Sequence, residues 1–273
     1  MPFRQIIFFS HNSVFRICKT HSALSIYLHS LMKTFDITTQ WWQLVVIALS
    51  CYLIGCFNFA KLISRFKKRD ITKIGSGNPG TMNMSREFGL KIGFITFLCD
   101  AFKGGVPALV CFFLYRETVF VGTEVLVSDF IRYFCGLFVI IGHVFPVTSK
   151  FKGGKGIAST FGLFWFALSC ENPWFILIIF ALLWGVVLFI FLTEWGSLGS
   201  LFGVTVFSVI QMCIFLDGYG IGVFNAYLVC LYMLILAINV LTWSAHHANI
   251  VRLFAGEEHH TSIRKLSKKK KKA

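Results

Sequence analysis

The sequence predicts an all-α integral membrane protein of about seven transmembrane helices, with its functional residues in glycine-rich loops between them. Three observations carry that reading. Apolar residues make up 56% of the 273-residue chain and charged residues only 14%, a balance that a soluble domain of this length does not need. The charge comes in islands between long apolar runs, the pattern of a chain threaded through a bilayer. Two of those islands, Gly75-Ser76-Gly77-Asn78-Pro79-Gly80 and Phe151-Lys152-Gly153-Gly154-Lys155-Gly156, join glycines to polar or basic side chains, a composition suited to holding an anion.

Residues 1–40 read as an N-terminal extension distinct from the membrane domain. His11, Asn12, Ser13, His21 and Ser22 make the segment too polar to span, and no small-residue cleavage site follows a compact apolar core. We expect translation to begin at Met32, leaving a short Met32-Lys33-Thr34-Phe35-Asp36 lead into the first span. The membrane domain covers residues 41–260, with spans at about 41–60, 92–115, 130–147, 157–170, 173–192, 198–217 and 221–244. The fourth is short, and its start merges with the second glycine loop. Residues 261–273 form a basic tail that includes Lys268 to Lys272.

The connections alternate in sign. Lys61, Arg65, Lys67, Lys68, Arg69 and Lys73 follow the first span, whereas Glu117, Glu124 and Asp129 follow the second. The next connection carries Lys150, Lys152 and Lys155. The positive-inside rule then puts both glycine loops and the C-terminus on the cytoplasmic side. The formal net charge of +14 is read as attraction to anionic lipid; a nucleic-acid partner needs a soluble basic face, and none is visible. Nine cysteines lie mostly singly in apolar runs with no C-x-x-C, so neither zinc nor a disulfide framework is indicated, and the thiols read as small packing residues.

Three polar clusters carry the chemistry. In the first, Gly75 and Gly77 permit left-handed backbone that turns N–H groups toward one point; Ser76, Asn78 and Asn83 add neutral donors and Arg86 a bidentate fork. The second runs from Gly142-His143 through Gly153, Gly154, Lys155 and Gly156. A helix starting near Gly156 would aim its amides and dipole at a bound anion. The third follows the last span. On a helix continuing from the membrane, His246, Asn249 and Leu253 share one face, as do Ala245, Asn249 and Arg252, with Glu258 just beyond. Asp100 and Lys103, one turn apart in the second span, read as a structural pair that orients the loops. No G-x-S-x-G elbow is present, and the loops hold few carboxylates, so catalysis by cations and amides gripping phosphate remains.

These strings resemble the bacterial acyl-phosphate:glycerol-3-phosphate acyltransferases. The likeness rests on Gly75-Ser-Gly-Asn-Pro-Gly80 with Asn83 and Arg86, on Gly142-His-Val-Phe-Pro-Val147 with Phe151-Lys-Gly-Gly-Lys-Gly156, and on His246-x-x-Asn249-Ile-x-Arg252-Leu with Gly256-x-Glu258. It covers about residues 44–260. It implies a seven-span enzyme of the bacterial inner membrane with a cytoplasmic active site. The reaction implied is transfer of an acyl group from acyl phosphate to the 1-hydroxyl of sn-glycerol 3-phosphate, giving lysophosphatidic acid and phosphate, the first step of phospholipid synthesis. No cofactor and no metal is implied. Functional coupling to a soluble phosphotransacylase that makes the acyl phosphate is. By position, Ser76, Arg86, Lys155, His246 and Asn249 are the implied catalytic residues. Gly75, Gly77, Asn78, Asn83, His143, Gly153, Gly154, Gly156 and Arg252 would contact substrate, and Asp100, Lys103 and Glu258 would support them. The chain departs from the family at Thr81-Met82, where Ala-Thr is usual, at His247, where arginine is common, and at Cys56 and Glu194. A transporter or channel for a phosphorylated solute is the rival reading. It would place broken helices and its site near the bilayer midplane.

Overall fold

A computed structural model describes residues 32–258. These residues form ten α-helices and two three-residue strands: β1 (Lys33–Phe35), α1 (Ile37–Cys56), α2 (Phe59–Phe66), α3 (Thr81–Phe88), α4 (Leu90–Tyr115), β2 (Thr118–Phe120), α5 (Val127–Val144), α6 (Ile157–Glu171), α7 (Phe175–Thr193), α8 (Gly196–Tyr219), α9 (Ala226–Ser244) and α10 (His247–Phe254). Helices α1, α4, α5, α7, α8 and α9 are long and apolar enough to cross a membrane, and α6 is a shorter apolar helix. The seven expected spans fall on these seven helices. Residues 33–40, read from the sequence as extension, supply β1 and the first turn of α1. The rest of the extension and the basic tail lie outside the described residues.

Local chemistry explains the boundaries. Asp36 starts α1 by accepting from the Thr38 amide at 2.8 Å, and Asn58 starts α2 by accepting from Lys61 N at 2.8 Å. Gly89, at φ +89, separates the short α3 from α4. With 15 residues, α6 is only about 22 Å long at 1.5 Å per residue, short of the ~30 Å hydrocarbon core.

Two glycine seams set the packing. A Cβ on Gly162 of α6 would lie 1.8 Å from Ala101 O of α4, and one on Gly104 would lie 2.0 Å from Ser159 O. Helix α5 meets α1 the same way: a Cβ on Gly142 would lie 2.2 Å from Tyr52 O. Such backbone-to-backbone approach is how helices associate without a hydrophobic drive between them. Helix α5 is the most buried of the six long spans and α7 the least. The bundle is thus centred on α5, with α7 presenting its surface to lipid.

The two ends of the bundle differ. At one end β1 and β2 pair in parallel, Phe35 opposite Phe120, and Phe120 stacks on Tyr227 at 3.9 Å. Beside them Arg132, fully buried, bonds Asp129 Oδ1 and Glu171 Oε1, each at 2.5 Å, and donates to Ala167 O at 2.8 Å. Tyr219 closes that network by donating to Asp129 Oδ2 at 2.7 Å. At the other end lie α2, α3, α10 and both glycine loops, so the three sequence clusters gather at one end.

Candidate active site

A cavity of about 510 Å³ opens among these elements. The N-terminal turns of α3 (Thr81, Met82), α6 (Ile157, Ala158), α8 (Gly196, Ser197) and α10 (Ala248, Asn249) all border it. First-turn amides have no intrahelical partner and carry the positive end of the helix dipole. Arg86, Lys155 and Arg252 bring three cations to its mouth, beside the Glu258 carboxylate. The other carboxylate on the lining, Asp100, is already paired with Lys103 at 3.1 Å. The electrostatics favour an anion. Ser76, Asn78 and Gly156 complete the polar wall.

The basic residue at the centre is Lys155. Its ammonium contacts Asn249 Oδ1, which fixes the carboxamide so that Asn249 Nδ2 donates to Ser197 Oγ and to Glu258 Oε1, both at 2.8 Å. Ser197 Oγ donates to Glu258 Oε1 at 2.7 Å, and Arg252 Nε donates to Glu258 Oε2 at 3.2 Å. Burial alone would raise the Glu258 carboxyl, but the bonds from Asn249 and Ser197, with Arg252 and Lys155 close by, hold it below its ordinary range. Burial lowers Lys155 to about 8, opposed by Glu258 and reinforced by Arg252 and Arg86. His246 Nδ1 lies 2.8 Å from the Thr242 carbonyl and so donates to it, leaving Nε2 as an acceptor. Burial lowers its pKa to about 4, so the ring is neutral at ordinary pH.

Helix α9 ends at Ser244 and α10 begins at His247, with His246 as the N-cap between them. The continuous helical stripe expected from the sequence is therefore broken at His246. The break places Asn249 and Arg252 on a separate helix, where both reach Glu258, while the Asn249 and Ile250 amides donate to His246 O at 2.8 and 2.9 Å.

The glycines act differently from expectation. Gly75 and Gly77 do have positive φ, +58 and +69, but their loop turns inward: Gly77 N donates to Ile74 O, and Ser76 N to Asn83 Oδ1, each at 3.0 Å. Asn83, 1% exposed, also donates to the Ile71 and Ile74 carbonyls. It organises the first loop and is not a free ligand donor. Gly153 N and Gly154 N donate to Val144 O and His143 O at 3.1 Å, so they do not cradle an anion. They are small because the loop doubles back on α5: a Cβ on Gly153 would lie 2.0 Å from His143 O, and one on Gly154 2.2 Å from His143 Nε2. His143 borders the cavity, and its Nδ1 accepts from Lys103 Nζ at 2.8 Å, a bond that ties the ring to α4. Lys103 also donates to Phe57 O at 2.9 Å, so that with Asp100 and His143 it joins α1, α4 and α5 under the second loop.

Two residues that sequence reasoning passed over belong to the site. Ser197 bridges Asn249 and Glu258; its signal was a serine in the first turn of a span at the motif end. Thr81 borders the cavity with a buried hydroxyl that has no hydrogen-bond partner among the described residues. Beyond the polar mouth the lining turns apolar, with Phe97 of α4, Phe161 of α6, Leu183, Val187 and Ile190 of α7, and Val204 and Phe207 of α8. One cavity thus joins an anion-binding mouth to an apolar trough.

Comparison with known proteins agrees. The model of the glycerol-3-phosphate acyltransferase family matches residues 45–256. A glycerol-3-phosphate acyltransferase of Thermotoga petrophila is 36% identical over 224 residues, 82% of this chain and 97% of the relative. That of Mycoplasmopsis pulmonis is 32% identical over 235 residues, 82% of this chain and 96% of the relative. The crystal structure of PlsY, an integral membrane glycerol 3-phosphate acyltransferase, in its glycerol 3-phosphate form superposes with a TM-score of 0.61 at 28% identity, covering 80% of this chain and 95% of that one.

Proposed function

The chain belongs to the glycerol-3-phosphate acyltransferase family, and from that premise we propose that it uses acyl phosphate as donor and releases 1-acylglycerol 3-phosphate and phosphate. The observation that carries this reading is the single cavity with a cationic mouth and an apolar trough. A phosphorylated amphiphile matches it, its phosphate among Arg86, Lys155, Arg252 and the four helix N-termini, its chain along α7 and α8.

In this mechanism the 1-hydroxyl oxygen attacks the acyl carbonyl carbon, a new C–O ester bond forms, and the carbonyl–phosphate C–O bond breaks. Inorganic phosphate leaves with the bonding pair. The hydroxyl proton passes to a substrate phosphate oxygen, which titrates near pH ~6. The titratable groups nearest Lys155 are poor acceptors: Glu258 is held ionised by its bonds and neighbouring cations, and His246, at about 4, is a weak base. Lys155 and Arg86 stabilise the charge that develops on the leaving phosphate, and His246 Nε2 and Asn249 orient the acceptor. Ser76, exposed at the rim, contributes a hydroxyl to the same phosphate. The lysine- and arginine-rich connections at the motif end support a cytoplasmic orientation in the bacterial inner membrane, where a soluble phosphotransacylase would supply the donor.

The test is phosphate release by purified protein given acyl phosphates of 10 to 18 carbons and glycerol 3-phosphate, with the matching acyl-CoAs as parallel donors. Lysophosphatidic acid formed from the acyl phosphate alone supports the proposal. Equal or better turnover of the CoA thioester would sink it.

A further inference from the structure

We infer that Phe207 sets the length of acyl chain this cavity accepts. The inference rests on the donor reading above. On α8 the cavity is bordered by Gly196, Ser197, Ser200, Gly203, Val204 and Phe207, positions three or four apart that share one helical face. The first four are small, and Gly203 lets α7 approach α8 closely. Phe207 then closes the trough with a buried ring.

The closure is built from three helices. The Phe207 ring meets Phe161 edge-on at 5.7 Å and lies over Phe164 at 6.4 Å, while Phe161 meets Phe97 at 5.4 Å. Rings from α4, α6 and α8 thus hold one another in place, and a chain tip cannot pass without displacing them. The facing wall is α7, which packs directly on α8: a Cβ on Gly203 would lie 2.8 Å from Val186 Cγ2, so the two helices touch there, and both residues border the cavity beside that contact. From Ser197 at the polar mouth to Phe207 is about 15 Å along α8. At roughly 1.3 Å per methylene of a zigzag chain, that depth takes on the order of a dozen carbons before the ring is met.

The ring contacts of Phe207 are with Phe161 and Phe164, ten residues along α8 from Ser197 at the polar mouth, so its replacement should move chain preference without moving glycerol 3-phosphate binding. The experiment gives the full-length protein an equimolar mixture of acyl phosphates with 10 to 18 carbons plus glycerol 3-phosphate, and reads the lysophosphatidic acids formed by mass. Phe207→Ala, and the milder Phe207→Leu should the alanine variant fold poorly, are expected to shift the product maximum by about two to four carbons toward longer chains. The long-to-short product ratio should rise at least about fivefold, in keeping with the sensitivity of apolar pockets to single methylenes. Val204→Phe, which fills the trough one turn nearer the mouth, is expected to shift the maximum toward shorter chains. The KM for glycerol 3-phosphate should stay near wild type throughout. An unchanged product distribution in a Phe207 variant that still turns over would overturn the assignment. Absence of product from wild type at every chain length would overturn the donor reading and this assignment with it.

Discussion

Lys155 carries a charge that its surroundings both oppose and use. Burial and two arginines lower its pKa to about 8 while Glu258 draws it back, so the cation is present at neutral pH and is lost as pH rises through 8. We therefore expect kcat/KM, which reports the free enzyme, to fall above pH ~8, with that limb displaced beyond pH ~10 in Lys155→Arg. Lys155→Ala should cost about 10²–10³ in kcat/KM at neutral pH, as loss of one charge-stabilising donor does; a pH–rate profile checks both. Thr81 offers a separate test. Its hydroxyl is buried, borders the cavity and has no hydrogen-bond partner among the described residues, so Thr81→Val should leave the thermal midpoint in place. If the hydroxyl serves substrate, KM for glycerol 3-phosphate should rise about tenfold, the worth of one hydrogen bond left unmade. Lys155 and its neighbours were legible in sequence because a lysine set among glycines beside an apolar span has little use there except to meet an anion. Thr81 and Ser197 were not, since a hydroxyl at a helix start reads equally well as a cap.

The glycines speak at the level of elements. Gly104 and Gly162 let α4 and α6 touch backbone to backbone, and that contact sets the short α6 with its N-terminus beside the cavity. Gly162→Leu would push a side chain into the Ala101 carbonyl, where no side-chain tip can yield. We expect it to lower the thermal midpoint in detergent sharply, by a cost on the order of 3 kcal/mol or more, and to reduce activity with it. A variant with wild-type midpoint would show that the seam is looser than its geometry implies. Sequence periodicity found every one of the seven helices to within a few residues because apolar length is a local property. It read the glycines of the second loop as an anion cradle, and the structure assigns the Gly153 and Gly154 amides to α5 carbonyls instead. Composition reveals that a loop needs glycine; only the packed neighbour reveals whether the need is conformational or steric.

Seen as a whole, the molecule separates its reactive end from a structural brace. Arg132 sits between Asp129 and Glu171 at the far end of the bundle and ties α5 to α6, while every cavity cation lies at the motif end. Arg132→Met would strand two buried carboxylates, a loss of about 3–5 kcal/mol. The expected result is a large fall in thermal midpoint with kcat/KM per folded molecule close to wild type; a matching fall in kcat/KM would mean that the two ends are coupled. The sequence by itself determined the membrane class, the span positions, the three motif clusters and their gathering at one end, since apolar length and charge islands are written along the chain. Tertiary structure alone decided which polar groups hold the loops and which bond one another at the cavity. Asn83, His143, Gly153 and Gly154 are spent on neighbours brought close by folding, whereas Lys155, Asn249 and Ser197, 52 residues apart at the last pair, meet across the cavity. It also decided that the polar mouth continues into a trough walled by α7 and α8. That continuity depends on which helix faces meet, and it arises only when the glycine seams bring the helices together.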